Sequence, residues 1–236
     1  FINDIGLVVN NYDKSVSVAG FYSRESNNKV TGSFVYSIDA TSTLLKSKQF
    51  EDLNKNFTSK IISTMLNETG STLSDLYIRK LIPRSDGGCT IIAEKYYESR
   101  QTYTYYANGF PQTASRVTYN YDEIIVISKN AEGKTQFQDF IKKSQSSMND
   151  GGYYSSFVLL NTNDKLSLVY NSDVSAEGDV MISSINPLGQ VDTKILIKAM
   201  SYYVMLMPQE SKQISAGSAL ICTLKDRRFT LLKLTY

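Results

Sequence analysis

Short strand-like runs bounded by turn residues recur along the whole chain, and this pattern limits the possible folds more than any single motif. Alternating or β-branched stretches occupy 5–9, 16–22, 33–38, 90–97, 123–128, 157–160, 165–170, 180–185, 194–197, 203–207, 218–224 and 229–234. Asn-Asp, Asp-Gly-Gly, Ala-Glu-Gly-Lys, Pro-Leu-Gly-Gln and Lys-Asp-Arg-Arg separate them, and each favours a reversal. The runs also repeat. "DEIIVISKNAEGKTQFQDFIKK" reads as strand, turn at 130–133, strand, and "GDVMISSINPLGQVDTKILIKA" reads the same way around 186–189. "GSFVYSIDATSTLLKSKQF" and "GSALICTLKDRRFTLLKLTY" fit that frame with shorter turns, and pairs of strands precede each. The expectation is an all-β chain, a β-propeller-like array of about four antiparallel four-stranded units. A unit of that kind cannot bury both its faces alone, so stacked neighbours supply the core. A two-sheet β-sandwich is the alternative. The 236 residues read as a single domain over 1–236, either complete or an arc of a longer array. The chain opens at Phe1 inside a strand-like run with no signal peptide, which suggests a processed protein or a fragment.

Two segments depart from the repeat. In 47–69, Phe50, Leu53, Phe57, Ile61 and Met65 recur at spacings of three and four, which predicts an inserted helix ending near Gly70. The segment 95–123 carries seven tyrosines around Asn108-Gly109, a strong hairpin turn signal. It reads as a long protruding hairpin. Alternation places Tyr103 and Tyr105 on one face and Tyr106 on the other, while Tyr119 and Tyr121 share a face. Either one tyrosine row packs on the body, or the arm meets a partner through Tyr103, Tyr105, Tyr106, Phe110, Tyr119 and Tyr121. A tyrosine joins a large apolar ring to a polar tip, which suits an interface.

Asp86-Gly87-Gly88 and Asp150-Gly151-Gly152 read as structural turns, with glycine permitting positive φ and aspartate capping its own turn. Each offers one carboxylate, too few for a calcium loop, so no metal site is assigned.

The composition excludes several chemistries. There is no histidine, so a Ser-His-Asp triad, a Cys-His pair and a His-ligated metal are ruled out. A net charge of +2, from 25 basic and 23 acidic residues, gives no electrostatic reason to expect a nucleic-acid partner. No stretch is long and apolar enough to read as a membrane-spanning helix. Cys89 and Cys222 lie in apolar runs and read as buried thiols, with a disulfide as the alternative. Glu94 with Asp122 and Glu123 could be imagined as a glycosidase pair, but nothing fixes their separation. No phosphate-binding loop or cofactor motif is present, so no cofactor is expected and the chain does not read as an enzyme.

The run over 81–157 resembles a group of uncharacterised secreted or envelope β-repeat proteins of Bacteroidota. The features shared are the Gly87-Gly88 turn, the strand at 93–97, the tyrosine-rich insertion at 103–121, the apolar strand at 123–127, the Gly133-Lys134 turn, "IKKSQS" at 141–146 and "YSS" at 154–156. Phe137 stands where these relatives often carry Trp, a conservative change for packing. The resemblance implies an extracytoplasmic β-repeat protein without catalytic residues, in the periplasm, at the outer membrane, or at the cell surface. Some large envelope β-repeat proteins of that phylum accompany the type IX secretion machinery, and one plugs the periplasmic mouth of its translocon. By analogy, the expected partner is a protein, such as an outer-membrane complex. The alternative is a carbohydrate- or peptide-binding module with tyrosines lining a groove.

Overall fold

A computed structural model describes residues 1–39, 41–64, 73–174, 178–202, 204–225 and 227–236. The chain is all-β, with four antiparallel sheets, none of which closes on itself among the described residues. It divides into two compact units, one formed by Phe1–Lys95 with Glu123–Lys142, the other by Tyr96–Asp122 with Lys143–Tyr236.

The first unit begins with a four-stranded meander, β1 (Ile2–Asn10), β2 (Ser15–Tyr22), β3 (Gly32–Asp39) and β4 (Leu45–Asp52). The second meander is β5 (Leu76–Pro83), β6 (Cys89–Ala107), β7 (Phe110–Lys129) and β8 (Thr135–Ile141). Ala19, Phe21 and Val35 of the first sheet share one core with Ile91, Ala93, Ile125 and Ile127 of the second. The first strands of the two meanders are joined side chain to backbone. Asp4 Oδ2 accepts the Ile78 N–H at 2.6 Å, and Asn10 Nδ2 donates to Arg84 O at 2.8 Å. Gly6 lies against Leu81, and any Cβ there would crowd it.

The helix α1 runs over Lys55–Thr64 and buries Phe57 and Ile61, one turn apart, in that same core. Asn54 caps it, its Oδ1 accepting the N–H groups of Asn56 at 2.9 Å and Phe57 at 3.3 Å. The expected helix over 47–69 is therefore corrected at its start, because 45–52 is strand β4. Phe50 is not on the helical face. It stacks on Phe34 across the sheet (ring centroids 5.2 Å) and meets Tyr22 and Tyr36 edge-on. Cross-strand aromatic pairing overrides a three-residue spacing that only mimicked a helix. Met65 and Gly70 lie outside the described residues.

The second unit holds the distal parts of β6 and β7, the short β9 (Gln145–Met148), and two further sheets. One is a four-stranded meander of β10 (Val158–Asn161), β11 (Leu166–Asn171), β12 (Val180–Ile185) and β13 (Val191–Ile197). The other has three strands, β14 (Lys212–Ser215), β15 (Ser218–Lys225) and β16 (Arg228–Thr235). Val158, Leu160, Val169 and Val180 pack with Leu206, Ala219 and Ile221 into its core. First strands again meet through a side chain. Gln213 accepts the Asn161 N–H and donates to Asn161 O, both at 2.8 Å, in the manner of a neighbouring backbone.

Three loops share one backbone design. In 84–88, 130–134 and 186–190 the first residue accepts from the fourth and donates to the fifth through the backbone, and the fourth is glycine at positive φ. Asp86, Asn130 and Asn186 supply the side-chain oxygen that caps each turn. The turns at 130 and 186 both join the third and fourth strands of a meander, β7 to β8 and β12 to β13. The turn at 84–88 joins β5 to β6, and a Cβ at Gly88 would run into Lys129 O. Asp150-Gly151-Gly152 is a turn of another kind. Both glycines have φ +70°, Asp150 Oδ1 accepts the Gly152 N–H at 2.9 Å and the Ser147 hydroxyl at 2.6 Å, and the chain passes from one sheet to the next.

Candidate functional site

Beyond the sheets, β6 and β7 continue as a hairpin closed by Asn108 and Gly109, with φ +53° and +81°. Positive φ at both central residues defines the turn whose twist matches the flanking strands, and Asn-Gly is the sequence that adopts it at least cost. Nothing lies within 4 Å of a Cβ built on Gly109.

The hairpin has a braced base and an open tip. At the base, β9 pairs with β7 from Thr118 opposite Met148 to Tyr121 opposite Gln145. Asn149 ends the pairing, its Oδ1 accepting the Val117 N–H at 2.9 Å and its N–H donating to Val117 O at 3.0 Å. Toward the tip, residues 98–106 of β6 are exposed without alternation, so both faces meet solvent.

The six aromatic residues singled out from sequence divide accordingly. Tyr103, Tyr105, Tyr106 and Phe110 are exposed, Tyr106 at 75% and Phe110 at 68%. The rings of Tyr103 and Tyr105 sit 6.3 Å apart, and the Arg116 guanidinium lies 5.9 Å from the Tyr103 ring centre. Tyr119 is half-buried beside β9. Tyr121 is 6% exposed and packs its ring on Tyr96 at 4.6 Å, above Gly152. Tyr121 is thus an anchor of the arm, and its ring does not join the exposed set. Burial raises the Tyr96 phenol well above its usual range, and its hydrogen bond to Glu98 adds to this.

A buried polar chain fixes the base. Lys143 donates to Tyr121 O at 2.7 Å and to Gln145 Oε1 at 2.9 Å. Gln145 also accepts the Ser156 N–H at 2.8 Å and donates to Asn171 O at 2.6 Å. Asn171 reaches on to Tyr154 O and to both backbone groups of Leu206. All three side chains are buried, and in such surroundings satisfied polar networks hold one geometry. The arm's root is therefore rigid, while its tip presents phenols, an apolar ring and guanidinium groups to solvent.

Two of the carboxylates named from sequence have defined partners. Glu94 is fully buried and accepts from Arg79 Nε at 2.9 Å. Asp122 accepts from the Ser144 hydroxyl at 3.0 Å. Cys89 and Cys222 are both free thiols; burial pushes Cys89 up to about 11, while Cys222 donates to Glu210 O at 3.1 Å.

No protein-family model matches this chain, and no curated protein matches it in sequence.

The second unit also contains a feature that the sequence did not announce. An apolar cleft of about 680 Å³ opens between β13, residues 198–202 and 204–206, and β16, with Ile195, Ile197, Leu206, Ile221, Leu232 and Leu234 among its walls. Its lining residues come from five separate stretches of the chain, each reading as an ordinary strand or loop, and only the fold brings them together. The nearest signal was the apolar alternation of "FTLLKLTY" on a strand whose outer face is exposed.

Proposed function

We propose that this chain is a non-enzymatic protein-interaction scaffold, a propeller-like array of β-meanders whose tyrosine-rich arm engages a protein partner outside the cytoplasm. One observation carries the reading: a hairpin with a rigid, hydrogen-bonded root exposes Tyr103, Tyr105, Tyr106 and Phe110 together at its tip. Exposed aromatics on a pre-organised strand pair offer large contact area at low conformational cost, the profile of an interface anchor. The propeller-like arrangement is supported by three four-stranded meanders, by the shared turn design at 130–134 and 186–190, and by the repeated side-chain joint between first strands. The extracytoplasmic setting, and a place beside an outer-membrane secretion complex, rest on the resemblance of 81–157 alone.

The test replaces Tyr103, Tyr105, Tyr106 and Phe110 by serine together and compares partner recovery from the membranes of the source cells in mild detergent. The four side chains are exposed, so the variant is expected to fold and to lose its co-purifying proteins. Undiminished recovery by a folded variant would remove the arm from the function, and recovery of the wild-type protein alone would overturn the scaffold reading.

A further inference from the structure

We propose that the apolar cleft of the second unit binds a free single-chain amphiphile, an acyl chain inserted tail first with its anionic head held at the rim by Lys198 and Lys233. The first observation is the division of the cleft into an apolar floor and a cationic rim. Val169, Val180, Leu206 and Ile221 form the floor and are buried. Lys198, Ser201, Tyr202 and Lys233 stand at the rim, and all four are exposed. Between the two, the half-buried Leu196, Ile197, Val204, Leu232 and Leu234 pack against the core and also line the cleft. Among the described lining residues the two lysines carry the charge, and no carboxylate stands with them. The volume of about 680 Å³ lies within the range of small-molecule sites, about 300–1,000 Å³, which are mostly apolar with a few placed polar groups.

The second observation is a bulge in β13. Val180 pairs with Ile197 and Met181 with Ile195, so Leu196 is an extra residue with no partner on β12. An unbroken strand points successive side chains to opposite faces. The bulge interrupts that alternation, and Ile195, Leu196 and Ile197 all line the cleft.

The floor is fixed in place. Asn171 donates to Leu206 O at 3.0 Å and accepts the Leu206 N–H at 3.1 Å. The Met207 N–H donates to Cys222 O at 2.8 Å, which ties the same segment to β15. Leu206 is thus pinned through its own backbone, and an occupant meets a wall already formed, which lowers the cost of binding.

The lining selects the occupant. A polypeptide pressed onto this floor would bury N–H and C=O groups against Val, Leu and Ile side chains, where they find no partner. An acyl chain carries no such groups. Two lysines at the rim favour a negative head over a neutral or positive one. The cleft shares no residue with the tyrosine-rich arm, so either site can fail without the other.

The probe is decanoate, titrated below its critical micelle concentration into the full chain by calorimetry. Saturable one-to-one binding that weakens with added salt is expected, with decanol bound about tenfold more weakly and decyltrimethylammonium more weakly still. The double variant Lys198→Glu, Lys233→Glu changes two exposed side chains and is expected to fold. It should bind decanoate about tenfold or more weakly than the wild type and decanol equally well. Methyl resonances locate the ligand without any variant: those of Val204 and Leu232 should shift on saturation, and that of Leu53 in the first unit should not. Absence of saturable decanoate binding by the wild type, equal affinity for the three head groups, undiminished decanoate binding by the folded double variant, or shifts that spare Val204 and Leu232 would each overturn the proposal. So would sedimentation with phosphatidylglycerol vesicles without any binding of free decanoate, which would make the cleft a membrane contact.

Discussion

Lys129 and Glu51 form an ion pair with unequal exposure, and that inequality predicts which partner can be removed. The Lys129 side chain is fully buried, whereas 39% of the Glu51 side chain is exposed. Lys129 Nζ donates to Glu51 Oε2 at 3.1 Å, to Thr135 Oγ1 at 3.0 Å and to Gly133 O at 3.4 Å. Glu51 Oε2 also accepts the Thr135 N–H at 2.9 Å and its hydroxyl at 2.6 Å. Glu51→Gln strands a buried ammonium among neutral acceptors. Removing one member of a buried pair costs about 3–5 kcal/mol, and the partial exposure of Glu51 sets the expected loss near 3. Lys129→Met takes the charge and its desolvation away together. Glu51 keeps its two Thr135 bonds and its water, so the expected loss is about 1 kcal/mol, for hydrogen bonds not replaced. The double variant should also lose about 1 kcal/mol, which makes the coupling about 3 kcal/mol. Urea unfolding followed by circular dichroism, with m unchanged, reads all three. A Lys129→Met loss equal to or larger than that of Glu51→Gln would refute the argument.

The same pair predicts a pH dependence. Burial alone would raise the Glu51 carboxyl, but the hydrogen bonds from Thr135 and Lys129 outweigh it and hold the group below its ordinary 4.5. A carboxyl depressed on folding stabilises above the unfolded value and loses that contribution as pH falls through the folded one. The stability gap between wild type and Glu51→Gln should therefore be full at neutral pH and shrink on acidification below 4.5.

Asn54→Ala removes the cap of α1 and should cost about 1 kcal/mol by urea unfolding, whereas Asn54→Ser should cost only a few tenths. Gly88→Ala forces a Cβ into Lys129 O and should lower the melting temperature, while Gly109→Ala meets no atom and suffers only its positive φ. Tyr106→Ser should change stability by less than about 0.5 kcal/mol, whereas Tyr121→Ala should cost about 3 or more, a contrast thermal melting resolves. Cys89 should resist Ellman's reagent at pH 8 in the folded protein and react on unfolding, because burial withholds both access and the thiolate.

Local features of the sequence translated directly into structure where one turn or one period decided the outcome. Asn108-Gly109 specified the hairpin because few other residues adopt its two positive φ values cheaply. Phe57 and Ile61 specified the buried stripe of α1. The all-β class followed from short alternating runs. Features that depended on distant partners were not legible. Phe50 matches a helical spacing as well as a strand until Phe34 and Tyr36 are known to face it. Tyr121 and Tyr105 look alike in a tyrosine-rich alternation, and only β9, Tyr96 and Gly152 make the first an anchor. The two Asp-Gly-Gly turns share letters but not roles. The structural counterparts of the first are the Asn-led loops at 130 and 186, because the loop needs a capping oxygen and a late glycine and does not need aspartate.

The braced root and open tip of the arm make its reach an adjustable quantity. A Cβ at Gly109 meets no described atom, and the bonds from β9 and Asn149 that brace the arm reach as far as Val117. One residue added to each strand would extend the arm by about 3.3 Å but close the turn on a non-bonded pair, whereas two per strand would add about 7 Å and restore a bonded one. Descendants of this chain could therefore drift in arm length in steps of four residues, keeping a bonded pair at the turn at each step.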